Sequence, residues 1–278
     1  MGRWFKETGR RNEIFLCTKF GYTYEPGTGK RGGGVRGDAA WVRQACAASL
    51  ERLGVDKIDL YYVHRIDSAT PIEETVKAMV ELKDEGKITY LGLSECSART
   101  LRRAHAVHPI TAVQLEYSPF ALEIESEQTD LLRTARELGV KIVAYSPLGR
   151  GFLTNTIKSR ADIDESDSRW NHPRFSEEHF PQNLKLVKTL SGIAARKGVT
   201  PSQLVLAWVG AQGEDFIPIP GTKKLKYLEE NAGAREVQLS AAEEKEIRGE
   251  IEKAGGGKGE RYPPGMLKLV FGDSPEVA

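Results

Sequence analysis

Hydrophobic positions along the chain fall into short runs separated by longer segments with helical spacing. The runs are Glu13 to Lys19 (EIFLCTK), Lys57 to Val63 (KIDLYYV), Ile88 to Leu93 (ITYLGL), Ala112 to Glu116 (AVQLE), Lys141 to Tyr145 (KIVAY) and Phe216 to Ile219 (FIPI). Each is rich in Val, Ile, Leu or aromatic residues and too short for a helix, so each predicts a strand. Between them, Asp38 can cap a helix that carries Val42, Ala45, Ser49, Leu50 and Leu53 on one side and is closed by Gly54. Pro71 takes the first helical position of PIEETVKAMVELKDEG, which Gly86 ends, and Ser97 opens SARTLRRAHAV. Thr129 and Asp130 fall in the first half of a helix ending at Gly139, and Thr200 to Gln203 (TPSQ) has capping-box spacing for a helix through Trp208. Strand and helix alternating at roughly 30-residue spacing predict parallel βαβ units. The polar stretch from Thr154 to Pro181 interrupts the alternation and reads as a substrate lid or mobile segment.

Composition narrows the function classes. With 278 residues the chain can bury a sizeable core, and a single α/β domain over 1–278 is expected. Its 40 Lys and Arg against 39 Asp and Glu leave a net charge of +1, so no overall field draws it to nucleic acid or anionic lipid, and small-molecule chemistry is favoured. Cys17, Cys46 and Cys96 form no CxxC pair and no zinc-ligand spacing, which argues against a metal site and for reduced thiols in the cytoplasm. No run approaches the ~18 apolar residues of a membrane span, and the polar start MGRWFKETGRR lacks a secretory core.

Candidate chemistry sits where the predicted strands end. Lys19, His64, Ser94, Gln114 with Glu116, Tyr145 with Ser146, and Thr222 with Lys223 and Lys224 all follow or close an apolar run. Any one alone reads as a solvated or capping residue, but six in succession suit a (β/α)8 barrel, whose strand ends share one mouth. A buried Lys or His has a depressed pKa suited to proton transfer, whereas Lys beside Gly and Thr suits a phosphate. Gly27 to Gly32 (GTGKRG) matches GxGxxG formally, yet the next helix starts only near Asp38, so it reads as a flexible loop instead of a dinucleotide fingerprint. Gly221, Thr222 and Lys224 stand between the last strand and a helix, where backbone NH groups favour an anion.

In combination, WFKETGRRNEIFLCTKFG, SLERLGVDKIDLYYVHRID, EGKITYLGLSE, AVQLEYSPF, VAYSPLGRGFLT and PIPGTKKLKYLEENAGA resemble the aldo-keto reductases from Trp4 to about Leu239, specifically the pyridoxal-reductase-like branch related to the potassium-channel β subunits. The resemblance implies NADPH-dependent reduction of a small-molecule aldehyde or ketone by hydride transfer. It assigns Lys19 to the lysine that lowers the pKa of a catalytic tyrosine, and His64 to the histidine that orients or polarises the carbonyl. Ser94 and Gln114 match the residues that hold the nicotinamide carboxamide, with Glu95 a less secure contact where many members have Asn. Tyr145 matches the aromatic residue stacked on the ring, and Ser146, Leu148 and Arg150 lie on the pyrophosphate-side loop. Gly221, Thr222 and Lys224 match the grip on the 2′-phosphate, which selects NADPH over NADH, and Glu230 and Asn231 lie near the adenine.

The resemblance also implies a (β/α)8 barrel of which strands three to eight are present, with a C-terminal tail over 255–278 that, like the Thr154–Pro181 stretch, shapes the substrate pocket. In the family two βα units, on the order of 60 residues, precede the strand ending TKFG and carry an Asp and the general-acid Tyr. No DTAxxYG-like motif occurs in the chain. An incomplete start and a true short paralogue both fit, and the rival reading is a non-catalytic NADP(H)-binding regulatory protein. Six strands without closure would expose two sheet edges, which leaves association into oligomers open.

Overall fold

The computed structural model describes residues 1–24 and 31–277. Its strands are β1 (Cys17–Phe20), β2 (Tyr22–Tyr24), β3 (Arg31–Val35), β4 (Ile58–Val63), β5 (Ile88–Ser94), β6 (Ala112–Glu116), β7 (Lys141–Tyr145) and β8 (Phe216–Pro218). Its helices are α1 (Gly2–Thr8), α2 (Ala39–Leu53), α3 (Ile72–Asp84), α4 (Ala98–Val107), α5 (Leu131–Glu137), α6 (Phe180–Lys197), α7 (Pro201–Gly210), α8 (Leu225–Gly233), α9 (Ala241–Ala254) and α10 (Pro264–Leu267). They gather into two compact units: Met1–Gln114 with Thr129–Lys141 and Lys268–Ala278, and Leu115–Gln128 with Ile142–Leu267. Among the described residues no helix is long and apolar enough to cross a membrane.

In the first unit β1, β4, β5 and the start of β6 form a parallel ladder. Ile58, Leu60, Tyr61, Tyr62 and Val63 are all buried, so both faces of β4 are covered and the strand reads as a continuous apolar run instead of an alternating one. Asp38 accepts a hydrogen bond from the Trp41 amide and Gly54 closes α2 in the left-handed conformation, as their types predict. Ser97 caps α4 in the same way through the Thr100 amide. The second unit pairs β7 with β8 in parallel. Its core stacks Tyr117 on Trp208 at 5.7 Å and surrounds Phe152 with Phe120, Phe175 and Phe180. The Thr200–Gln203 capping box opens α7.

Several boundaries differ from the pattern-based expectation, each for a physical reason. The strand expected from Glu13 starts only at Cys17, because Arg11 to Glu13 form a short 3₁₀ turn. That approach is pinned by the Asp59 carboxylate, which accepts from the Leu16 amide at 2.7 Å and from Arg11 at 2.8 Å. Pro71 caps α3 from outside instead of entering it, and Asp130 stands before α5 with φ of 53°. β8 ends at Pro218, although the Ile219 amide still bonds to the Ala144 carbonyl. Thr154 to Pro181 is no bare loop: it winds through three 3₁₀ turns, buries Ile157, Ile163 and Phe175, and runs into α6, a helix the polar composition had hidden. Gly27 to Lys30 lie outside the described residues, and Arg31 begins β3.

The C-terminal segment of the first unit supplies caps from far along the chain. The Pro71 ring at the N-cap position of α3 carries no hydrogen-bond acceptor, and the Ser274 hydroxyl accepts from the Ile72 amide at 2.6 Å while donating to the Thr70 carbonyl. Asp273 accepts from Ser97 at 2.5 Å, and the Ser274 amide donates to Thr100. The segment therefore ties down the N-termini of α3 and α4, directly after the strands ending at Val63 and Ser94. Ser274→Ala is expected to cost about 1 kcal/mol, the usual loss for an N-cap, lowering Tm by roughly 2–4 °C. A thermal melt unchanged from the wild type would count against this cap.

Candidate functional site

Register positions the polar residues of the first unit. Lys19 is level with Tyr62, and Tyr62 with Gly92; two residues further along, Ser94 is level with Gln114, and the His64 amide bonds to the Phe20 carbonyl. Residues two apart on a strand point to the same face. Lys19 and Tyr62 thus form a layer beneath His64, Ser94 and Gln114. The long Lys19 side chain reaches upward, and its ammonium donates to Gln114 Oε1 at 3.0 Å. Its Nζ also lies 5.8 Å from the centre of the Tyr62 ring.

Burial tunes this layer. It lowers the Lys19 pKa by penalising the ammonium, with further depression from Arg65 opposed by Cys17. Burial likewise pushes the Tyr62 phenol up, although its hydroxyl is hydrogen-bonded to the Gln114 side chain. The space for the Tyr62 ring exists because Gly92 has no side chain: a Cβ there would fall 2.5 Å from two ring carbons. The Tyr22 ring meets the His64 ring edge-on at 4.9 Å. Glu95, buried beyond Ser94, holds φ of 52°, a conformation secured by its amide bonding to the Gln114 carbonyl and its carbonyl accepting from Gly272.

The second unit contains a cavity of about 440 Å³ lined by Ser146, Leu148, Arg150, Gly221, Thr222, Glu230 and Asn231 among others. Seven residues singled out from sequence therefore share one volume. Two others do not line it. Tyr145 turns its hydroxyl to that of Tyr262 at 3.1 Å, and Lys224 is an exposed N-cap residue whose amide bonds to Thr222 Oγ1 and whose ammonium lies 5.7 Å from the Tyr227 ring centre. Their removal from the lining follows from local geometry: β7 ends at Tyr145 before the chain reverses through Ser146 at φ of 50°, and the turn at Thr222 directs the following side chain outward.

Beside this cavity, sequence reasoning missed a network of charges. Arg150, Arg174 and Arg261 approach the buried carboxylate of Glu116 at 3.0, 3.3 and 3.7 Å. Arg174 and Arg261 also meet Glu123, so three guanidinium groups face two carboxylates. The second Arg150 nitrogen lies 2.9 Å from His172 Nδ1, and its guanidinium covers the Tyr262 ring at 4.5 Å. Burial lowers the His172 pKa, which keeps the ring from adding a further positive charge. No periodic signal marks Arg174 or Arg261, which lie in 3₁₀ and irregular segments. Tyr62 was detectable in principle as an aromatic residue two positions before a strand-end histidine and hence on its face.

Comparison with known proteins adds the family. The model of the aldo/keto reductase family matches residues 1–252. Aldo-keto reductase str7 of Strobilurus tenacellus is 58% identical over 248 residues, covering 89% of this chain and 71% of that protein. Aldo-keto reductase yakc [NADP(+)] of Schizosaccharomyces pombe is 52% identical over 277 residues, which cover 100% of this chain and 81% of the relative. Among solved structures, the glycerol dehydrogenase AKR11B4 of Gluconobacter oxydans superposes with a TM-score of 0.82 at 26% identity, over 91% of this chain and 76% of its own. The thermostable aldo-keto reductase Tm1743 in complex with the inhibitor epalrestat gives a TM-score of 0.68 at 28% identity, over 90% and 75% of the two chains. With the family match spanning most of its length and relatives above 50% identity, this chain belongs to the aldo/keto reductase family.

Proposed function

We propose that this protein is an NADPH-dependent reductase of aldehydes or ketones, of the pyridoxal-reductase-like branch, with six βα repeats of a (β/α)8-type barrel in the residues given. The observation that carries the reading is the Lys19–Gln114 hydrogen bond, which links Lys19 to the layer of Ser94 and Gln114 above it. It joins a half-buried cation of lowered pKa to an amide suited to a carboxamide.

The residues fit the cofactor chemically. In the first unit Ser94 and Gln114 offer a hydroxyl and an amide that can pair with a carboxamide. In the second, the cavity has a glycine turn, the Thr222 hydroxyl and the Asn231 amide, next to a network with an excess of guanidinium groups, and this suits phosphates. Lys224, exposed at the same turn, would supply the positive charge that a 2′-phosphate calls for. Bound NADPH supplies a hydride for the carbonyl carbon. His64 donates a hydrogen bond to the carbonyl oxygen and so polarises it, while Lys19 holds positive charge beneath the developing alkoxide.

A regulatory, cofactor-binding role without turnover is the second reading, and one observation favours it. The Tyr62 phenol, with its ring centre 5.8 Å from Lys19 Nζ, is 1% exposed and engaged by Gln114, so it is not available to protonate a substrate. Tyr22 is half-buried with its ring edge-on to His64. Fluorescence titration should give saturable NADPH binding to the 278-residue chain, and generic aldehydes should drive NADPH consumption that His64→Ala reduces roughly 10²- to 10⁴-fold. Absence of NADPH binding would discard both readings; binding without His64-dependent consumption would leave the regulatory one.

A further inference from the structure

Within the second unit the loop Gly149–Asn155 holds one residue, Arg150, in a conformation that its type does not favour. Gly149, Arg150 and Gly151 have φ of 56°, 57° and 91° in succession, and Asn155 follows at 60°. For Arg150, a residue with a Cβ, the left-handed region is strained, and such positions persist only where the surroundings over-determine them. Those surroundings are visible. One Arg150 nitrogen meets Glu116 Oε2 at 3.0 Å, another meets His172 at 2.9 Å, and the guanidinium plane covers Tyr262. The Arg150 backbone carbonyl also accepts from Arg169 at 3.1 Å.

Resting on the reading of the cavity as a phosphate site, we propose that Glu116 is a positioning residue: it clamps the Arg150 side chain and thereby fixes the left-handed loop that lines the cavity. The Arg150 guanidinium is then an anchor for the loop instead of a ligand contact, and the loop residues Ser146 to Gly151 present the cavity wall. Glu116 suits the task. It is 2% exposed, sits at the end of β6, and its two oxygens are shared among Arg150, Arg174 and Arg261, which belong to three separate segments. His172 packs beside Arg150 and donates from its Nδ1 to the Arg261 carbonyl at 2.8 Å. The clamp is therefore closed by the segment that carries Arg261 and Tyr262.

Trypsin reads the clamp without any cofactor, since cleavage after Arg150 requires its guanidinium to leave Glu116 and enter the protease. The wild-type protein should resist cutting at Arg150–Gly151. Glu116→Gln, which keeps shape but removes the charge, should be cut there roughly tenfold faster, the equivalent of one charge-assisted contact, and its NADPH Kd should rise by a similar factor. Tyr262→Leu, which removes the ring under the guanidinium, should shift both in the same direction by less. Glu116→Gln as resistant at Arg150 as the wild type would overturn the proposal. Should Glu116→Gln unfold and be cut throughout, Tyr262→Leu decides: selective cutting at Arg150 supports the clamp, and wild-type resistance overturns it. A wild type that does not bind NADPH removes the cofactor reading alone, because the proteolysis pattern still reports on Glu116.

Discussion

Gly92→Ala is expected to destabilise the protein by about 3 kcal/mol, at the upper end of ordinary overpacking, and to lower Tm by roughly 6–12 °C. The new Cβ would stand 2.5 Å from Cδ1 and Cε1 of Tyr62 and 3.1 Å from the Ala112 carbonyl oxygen. Neither neighbour can yield. The ring is fully buried between strands, and the carbonyl is part of the β6 backbone. The clash also reaches the candidate site, because Tyr62 is hydrogen-bonded to Gln114, which accepts from Lys19. Tyr62→Leu creates room at its own cost in packing, so the double mutant should be about as stable as Tyr62→Leu alone. Urea and thermal denaturation of the four proteins measures that coupling; simple additivity of the two losses would show that glycine and ring do not share the space.

How much of this arrangement was legible in the sequence depended on the range of the forces involved. β6 and β7 run over the residues the apolar runs delimit, and Asp38, Ser97, Thr200 and Gly54 act as their types predict, since caps and strand faces are decided within a few residues. The turn wall at Gly221 and Thr222 was readable for the same reason. Long-range decisions were not. The start of β1 is set by Arg11 and Leu16 meeting Asp59, more than 40 residues away. The cap of α3 comes from Ser274. The engagement of Arg150 with Glu116 depends on a partner 34 residues away in the chain, which no periodicity signals. The start of α6 was hidden because Phe180 and Pro181 follow a polar segment, and the regular apolar positions Leu186, Val187, Leu190, Ile193 and Ala194 begin only a turn later.

Lys19→Met is expected to separate activity from stability. Carbonyl reduction should fall roughly 10²- to 10⁴-fold, the range for losing a group that supports proton transfer, while the fold persists because Met keeps the length and removes a half-buried charge. Burial lowers the folded-state pKa of Lys19 below its ordinary value, so the unfolded chain binds more protons in the interval between the two. Wild-type stability should therefore rise with pH across that interval: the gain is complete above the ordinary lysine value and is lost as pH falls through the lowered one. Lys19→Met should abolish this slope and match or exceed the wild-type Tm at neutral pH, even though Gln114 Oε1 loses its donor, since the amide keeps the Tyr62 hydroxyl. Denaturation curves between neutral pH and the ordinary lysine range, paired with rates at saturating substrate, test both halves. Wild-type activity in Lys19→Met would remove Lys19 from the chemistry, and an unchanged pH slope would place its titration elsewhere.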